Sequence, residues 1–189
     1  MGYHDHYAAT WRKVFSRFGW DGSEPRIAVE IGSYEGSSAV WIAQNLLTAP
    51  GSRLYCIDHW RGLEEERARF TRNIATLPDP DLVTVLDSTS REALVRLEAG
   101  GLKADFVYVD GSHAAPDVLS DLVLGFGLLK VGGVLICDDY LWADARFDGG
   151  SLLGRPKLAI DAFTTIYADK IKWAANVSNL QAILQKRAD

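Results

Sequence analysis

The feature that most constrains this chain is a series of five short apolar runs separated by longer segments of helical spacing. They are Arg26 to Ile31, Leu54 to Asp58, Val83 to Asp87, Asp105 to Asp110 and Val134 to Asp139. Each is rich in Val or Ile, and such runs suit strands buried on both faces. The intervening segments, Ser37 to Leu47, Leu63 to Thr76, Ser90 to Glu98 and Pro116 to Leu129, read as helices. In the last of these Val118, Leu122, Phe126 and Leu129 share one face. Pro156 fits the first turn of a further helix running to about Asp169, with Ile160, Phe163 and Tyr167 inward. A βαβα period requires a parallel sheet with helices on both sides.

The tail reads as two strands, 170–177 and Leu180 to Lys186, joined at Ser178-Asn179, where Asn tolerates a tight turn. An antiparallel hairpin would close the sheet. Tyr7, Trp11, Val14, Phe15 and Phe18 give helical spacing near the N-terminus. The expected organisation is one domain: a helical cover over residues 1–22, a core over 26–169 and a hairpin over 170–189.

Composition then limits function. A length of 189 residues suits one domain with a real core, and 48% hydrophobic against 24% charged residues is far from a disordered composition. The net charge of −5, with Lys and Arg scattered, leaves no footprint for nucleic-acid phosphates. No basic segment followed by an apolar one opens the chain, and no stretch approaches a membrane span, so a cytoplasmic protein is expected. Cys56 and Cys137 fall in different strands; three strand spacings would hold them roughly 14 Å apart, too far to bridge. His4 and His6 read as exposed terminal residues.

The first strand leads into Glu30-Ile31-Gly32-Ser33-Tyr34-Glu35-Gly36-Ser37-Ser38. Glycines after a buried strand let the backbone approach a ligand, and the following helix offers free N–H donors. Asp58, ending the second strand, can accept both hydroxyls of a ribose. Together they point to a nucleoside site, although a structural turn and a strand-end cap would use the same residues. The turn lacks the Gly-x-Gly-x-x-Gly of dinucleotide enzymes, and Glu35 would repel a diphosphate. A cationic sulfonium nucleoside suits it better, because Glu30 and neighbouring carboxylates can meet its charges.

A second constellation is Asp110 with Asp138 and Asp139, at the ends of the fourth and fifth strands. Like charges on neighbouring strand ends repel unless something positive lies between them. Oxygen-only donors favour Mg²⁺, Ca²⁺ or Mn²⁺. The alternative is that Asp138 or Asp139 caps a loop and Asp110 only contacts a ligand. His113 lies three residues beyond Asp110, and imidazole, with an ordinary pKa of about 6.5, can serve as a general base near neutrality. A solvent-facing histidine at a helix entry is its other reading.

Four runs in order, 29–38, 57–62, 106–113 and 129–140, resemble class I S-adenosylmethionine-dependent methyltransferases. The nearest likeness is to the small bacterial branch similar to catechol-type and macrolide-sugar O-methyltransferases. The resemblance implies a seven-stranded Rossmann-like sheet in the order 3-2-1-4-5-7-6 with the last strand antiparallel; the helical spacing of the first 20 residues adds a helix expected to pack over the cofactor end. It places the methionine half of the cofactor at Glu30, Gly32, Ser33, Tyr34, Gly36 and Ser38, and the ribose at Asp58. Asp87 and Ser88 match positions that touch adenine, with His59 or Trp60 against its face; Trp60 could equally be packing. Asp110 is expected beside both cofactor and acceptor. A divalent metal, Mg²⁺ or else Ca²⁺ or Mn²⁺, is implied at Asp110, Asp138 and Asp139. His113 stands where the catechol-type enzymes carry a proton-accepting lysine.

The expected activity is metal-assisted O-methylation of a small-molecule acceptor, with no nucleic-acid or membrane partner and a homodimer as one possible assembly. The loop from Tyr140 to Arg155, with Trp142, Arg146 and Phe147, would line the acceptor pocket. Competing expectations are a nicotinamide-dependent oxidoreductase, which would need the missing glycine fingerprint, and a catalytically silent nucleoside-binding module.

Overall fold

A computed structural model describes residues 7–143, 149–174 and 180–189. Its seven strands are β1 (Ile27–Ile31), β2 (Arg53–Asp58), β3 (Val83–Asp87), β4 (Ala104–Val109), β5 (Leu129–Cys137), β6 (Ile171–Trp173) and β7 (Ala182–Lys186). Its helices are α1 (Ala8–Arg17), α2 (Ser37–Asn45), α3 (Glu64–Ile74), α4 (Ser90–Ala99), α5 (Ala115–Leu128) and α6 (Pro156–Ile166). The strands form one sheet in the order β3-β2-β1-β4-β5-β7-β6. β1 to β5 pair in parallel, whereas β7 pairs antiparallel with both β5 and β6. This is the expected Rossmann-like arrangement.

Local chemistry fixes the helix starts. Thr89 and Glu92 form a reciprocal capping box at the head of α4, satisfying two orphan amides at once. Proline occupies the first turn of α5 and of α6, where its missing N–H costs nothing. α6 ends at Ile166, and Ala168–Lys170 form a short 3₁₀ turn instead of continuing to Asp169.

Alternation along the strands divides the core into two layers. Val107, Val109, Leu135 and Cys137 face α4, α5 and α6, whereas Phe106, Tyr108, Val134 and Ile136 face α1, α2 and α3. α1 lies against a face of the sheet, and Tyr7 at its N-terminal end stands near Asp110, Asp138 and Asp139 beyond the ends of β4 and β5. Its Trp11 packs edge-on to Phe106 and Tyr108, at 5.6 and 4.9 Å between ring centroids. Cys56 and Cys137 are both buried and free, on strands separated by β1 and β4.

β5 begins at Leu129, five residues before the expected Val134. Gly132 and Gly133 read locally as a turn, yet the strand runs through them. A Cβ on Gly133 would stand 2.9 Å from the Asp105 carbonyl, so glycine permits the close pairing with β4 at a register shift. β5 also ends at Cys137, although the Asp138 N–H still donates to the Val109 carbonyl at 2.9 Å. The expected turn at Ser178-Asn179 lies outside the described residues.

Asp121 of α5 is 2% exposed, and burial raises its carboxyl to about 6; the Ser90 hydroxyl opposes this and Asp117 adds to it. The folded value exceeds the ordinary one, so this contribution is fully present below about pH 4 and is lost as the pH rises through about 6. Asp121→Asn is therefore expected to stabilise the fold at pH 7.5 by about 1–3 kcal/mol. Urea unfolding should show the gain shrink towards zero at pH 4. An equal gain at both pH values would assign it to packing.

Candidate active site

The cradle at the end of β1 is built from backbone. Gly32 has φ of 86°, and a Cβ there would stand 2.1 Å from the Asp110 carbonyl oxygen and 2.5 Å from the Gly111 Cα. Only glycine lets the ends of β1 and β4 approach this closely. The next residues fold back over β2. The Tyr34 N–H donates to Asp58 Oδ2 at 2.9 Å, and the Tyr34 carbonyl accepts the Trp60 indole N–H at 2.7 Å. Asp58 Oδ1 accepts the Trp60 N–H at 3.0 Å. The Asp58 carboxylate thus stands against the glycine turn while holding it in shape. Gly36, with φ of 82°, starts α2, whose first turn contains Ser37 and Ser38.

Glu30 lies beneath this turn, fully buried. Its Oε2 accepts the Ser33 hydroxyl at 2.6 Å, while Oε1 has no hydrogen-bond partner. Burial raises its carboxyl, and the Ser33 hydroxyl offsets part of that. A buried acceptor left open beside a ligand-sized turn is a feature that a ligand's ammonium group would satisfy. Glu35, by contrast, turns outward to Arg69 at 2.8 Å, so its charge is partly compensated.

The expected adenine residues divide. Ser88 donates its N–H to the Asp58 carbonyl at 3.2 Å, and Asp87 turns away to pair with Arg67 at 2.7 Å. With Arg61 and Arg91 they border an open groove of about 660 Å³. His59 is exposed, its Nδ1 accepting the Arg61 N–H at 3.1 Å. Trp60 is only 3% exposed and packs on Phe70 at 4.9 Å, so it is a packing residue and not an adenine platform.

At the ends of β4 and β5, Val109 pairs with Cys137, which sets Asp110 beside Asp138. Both lie on the Tyr108 side of the sheet, two residues on from positions facing α1. The buried Tyr108 hydroxyl joins them, lying 2.9 Å from Asp110 Oδ2 and in a short hydrogen bond with Asp138 Oδ2. Asp138 Oδ2 also accepts Gln181 Nε2 at 2.8 Å, and Gln181 in turn accepts the Trp11 indole N–H at 2.8 Å. Asp138 Oδ1 accepts the Asp139 N–H at 2.8 Å. Burial, then the charges of Asp138 and Asp139, push the Asp110 carboxyl well up; burial also raises Asp138.

Asp139 separates from this pair. At φ of 57° it turns the chain outward, and its Oδ2 lies 2.8 Å from His113 Nε2. Trp142 stacks on the imidazole at 4.1 Å and 21°. The expected three-carboxylate metal set is therefore not assembled: among the described residues no group of three His, Cys, Asp or Glu could hold an ion. Asp138 faces a buried hydrogen-bond network, and Asp139 faces His113. These residues do not fit the implied metal.

Tyr7, which the periodicity assigns only to a helix face, stands near the same cluster. Burial and the charges of Asp138, Asp139 and Asp110 raise its phenol to about 12. No local signal reveals that proximity. Tyr140 donates its hydroxyl to Asp161 of α6 at 2.7 Å, anchoring the start of the expected acceptor loop. Arg146 and Phe147 lie outside the described residues.

Residues 29–140, more than half of the chain, match the family described as a methyltransferase domain. With its seven-stranded sheet, the chain belongs to that family and has the class I S-adenosylmethionine-dependent methyltransferase fold. An O-methyltransferase from Bacillus cereus, solved in complex with SAH, is similar with a TM-score of 0.70 at 18% identity, over 98% of this chain and 84% of that one. TomG from Streptomyces achromogenes, an O-methyltransferase of tomaymycin synthesis solved with SAM, gives 0.67 and 18% over 97% and 91%. MycE of the mycinamycin biosynthetic pathway, solved with Mg and SAH, gives 0.66 and 20% over 99% of this chain but 51% of that one. No curated protein matches the sequence. Among the described residues no helix is long and apolar enough to cross a membrane.

Proposed function

We propose that this protein is an S-adenosylmethionine-dependent O-methyltransferase acting on a hydroxyl of a small molecule. The observation that carries the reading is the His113–Asp139 pair, 2.8 Å apart at the ends of β4 and β5, one strand from the glycine cradle of β1. The cofactor fits that cradle because the unpartnered Glu30 oxygen suits its ammonium group. Gly32, Ser33, Tyr34, Gly36 and Ser38 would surround its methionine half, Asp58 its ribose, and Ser88 the adenine edge.

S-adenosylmethionine supplies an electrophilic methyl: the acceptor oxygen forms the new C–O bond as the C–S bond breaks, its electron pair going to sulfur. The acceptor's proton must leave during or before that attack. Asp139 holds His113 through Nε2–H, which leaves the lone pair on Nδ1 to take that proton. The imidazolium so formed faces a carboxylate. A basic group poised for a hydroxyl favours oxygen as the methyl acceptor, and the chain's net charge of −5 favours a small molecule over a nucleic acid.

Calorimetry with S-adenosylhomocysteine and with NADH tests the cofactor, and S-adenosylhomocysteine release across a panel of phenols and sugars tests the reaction. Binding of NADH alone would overturn the reading. So would cofactor binding without turnover on any hydroxyl acceptor, which would leave a silent binding module. Asp58→Ala removes both the ribose acceptor and the tie to Tyr34, so S-adenosylhomocysteine affinity is expected to fall more than about tenfold. Unchanged affinity would remove Asp58 from the site.

A further inference from the structure

Each carboxylate that sequence alone assigns to a metal has at least one oxygen hydrogen-bonded within the protein, and Asp138 has both. Asp138 Oδ2 accepts two hydrogen bonds, from Tyr108 and Gln181, which fill its two lone pairs, and Oδ1 accepts the Asp139 N–H. The donor of the second bond is itself fixed by Trp11 of α1, so rotating Asp138 towards a cation would leave buried groups unpaired on two elements. Asp110 Oδ2 takes the other side of the Tyr108 hydroxyl. Asp139, at a positive φ, points to His113.

We infer that the Tyr108 hydroxyl occupies the place between Asp110 and Asp138 that a divalent cation would take, and that acceptor deprotonation runs through His113 and Asp139 without a metal. Tyr108 is a positioning residue: it joins the two carboxylates and keeps Asp138 off the acceptor. Asp139 is the second positioning residue, presenting His113 with Nε2 protonated and Nδ1 free. The acceptor proton passes to Nδ1, so charge balance needs no external Lewis acid. The chemical half of this inference rests on the proposed methyl transfer; the cation half stands on the hydrogen bonds alone.

The cation half is tested with Mn²⁺ by electron paramagnetic resonance, which needs neither acceptor nor cofactor. The intact protein is expected to show no saturable Mn²⁺ site below about 1 mM. Tyr108→Phe keeps the buried ring and removes the hydroxyl, and is expected to raise Mn²⁺ affinity at least about tenfold. Asp138→Asn in the Tyr108→Phe background should abolish that gain. A saturable site in the intact protein that Asp138→Asn removes would overturn the inference. So would a Tyr108→Phe protein that folds and gains no affinity.

For the dyad, ¹⁵N spectra of the imidazoles should show His113 protonated at Nε2, unchanged by added Mg²⁺ and lost as a single tautomer in Asp139→Ala. A His113 spectrum that shifts saturably with Mg²⁺ would count against the inference. Failure of S-adenosylhomocysteine to bind would sink the methyltransferase reading while leaving every Mn²⁺ result interpretable.

Discussion

Replacing His113 with alanine is expected to lower turnover by about 10²- to 10⁴-fold while leaving S-adenosylhomocysteine affinity unchanged. The affinity holds because Glu30, Gly32 and Asp58, which shape the cradle, make no contact with the imidazole. The rate falls because an uncharged hydroxyl is a poor nucleophile, and His113 is the base that Asp139 aims. The stacked Trp142 fixes the plane of the ring, so the base is already oriented in the intact protein. Asp139→Asn provides the graded comparison. Its amide can still meet the ring, but an NH₂ facing Nε2 favours the tautomer with the proton on Nδ1, leaving no basic lone pair for the acceptor. It should therefore lose much of the same rate with an unchanged cofactor affinity. Single-turnover kinetics beside calorimetry separates the two quantities. Full activity in His113→Ala would transfer the base role to the substrate or to another group.

Gly32→Ala is expected to be the most damaging single change to the fold and the cofactor site together. A Cβ at this position meets backbone, not a side chain: the Asp110 carbonyl at 2.1 Å and the Gly111 Cα at 2.5 Å. Neither can move without breaking the bond from the Asp110 N–H to the Ile31 carbonyl, which zips β1 to β4. The positive φ adds its own penalty of roughly 1–2 kcal/mol for an L-residue. The total should exceed about 3 kcal/mol, a thermal shift of more than about 6 °C for a chain this size. Gly62→Ala is the control, because Gly62 has a similar φ of 74° with nothing within 4 Å. It should lose only the conformational penalty, roughly 1–2 kcal/mol. Equal melting temperatures for the two variants would show that the β1–β4 approach yields to a methyl group.

The strand positions were legible because burial on both faces leaves a continuous apolar run, and β3 matches its expected bounds, Val83 to Asp87. The strand order came from resemblance, since the apolar period is the same for every parallel order. β5 was misjudged at both ends. Gly132-Gly133 carries a turn signal that the pairing on either side, at Ala104 and Phe106, overrides, and Asp138-Asp139 looks like a continuous strand end although the regular pairing with β4 and β7 closes at Cys137. Trp60 was ambiguous for a similar reason: an aromatic beside a ligand turn has one composition whether it faces solvent or, as here, Phe70.

The sequence by itself determined the parallel sheet, the glycine turn after β1, and the set of acidic residues gathered at the strand ends. These follow from local chemistry: apolar period, the φ freedom of glycine, and the polarity of strand termini. Only the tertiary structure decided what each carboxylate does. Asp138 and Asp139 are neighbours of identical type, yet one accepts hydrogen bonds from Tyr108 and Gln181 in the interior, and the other meets His113. The partners come from β4, the residue just before β7 and the loop before α5, between 26 and 43 residues away in the chain. A carboxylate's role is set by the donor nearest to it in space, and a one-dimensional pattern does not contain that distance.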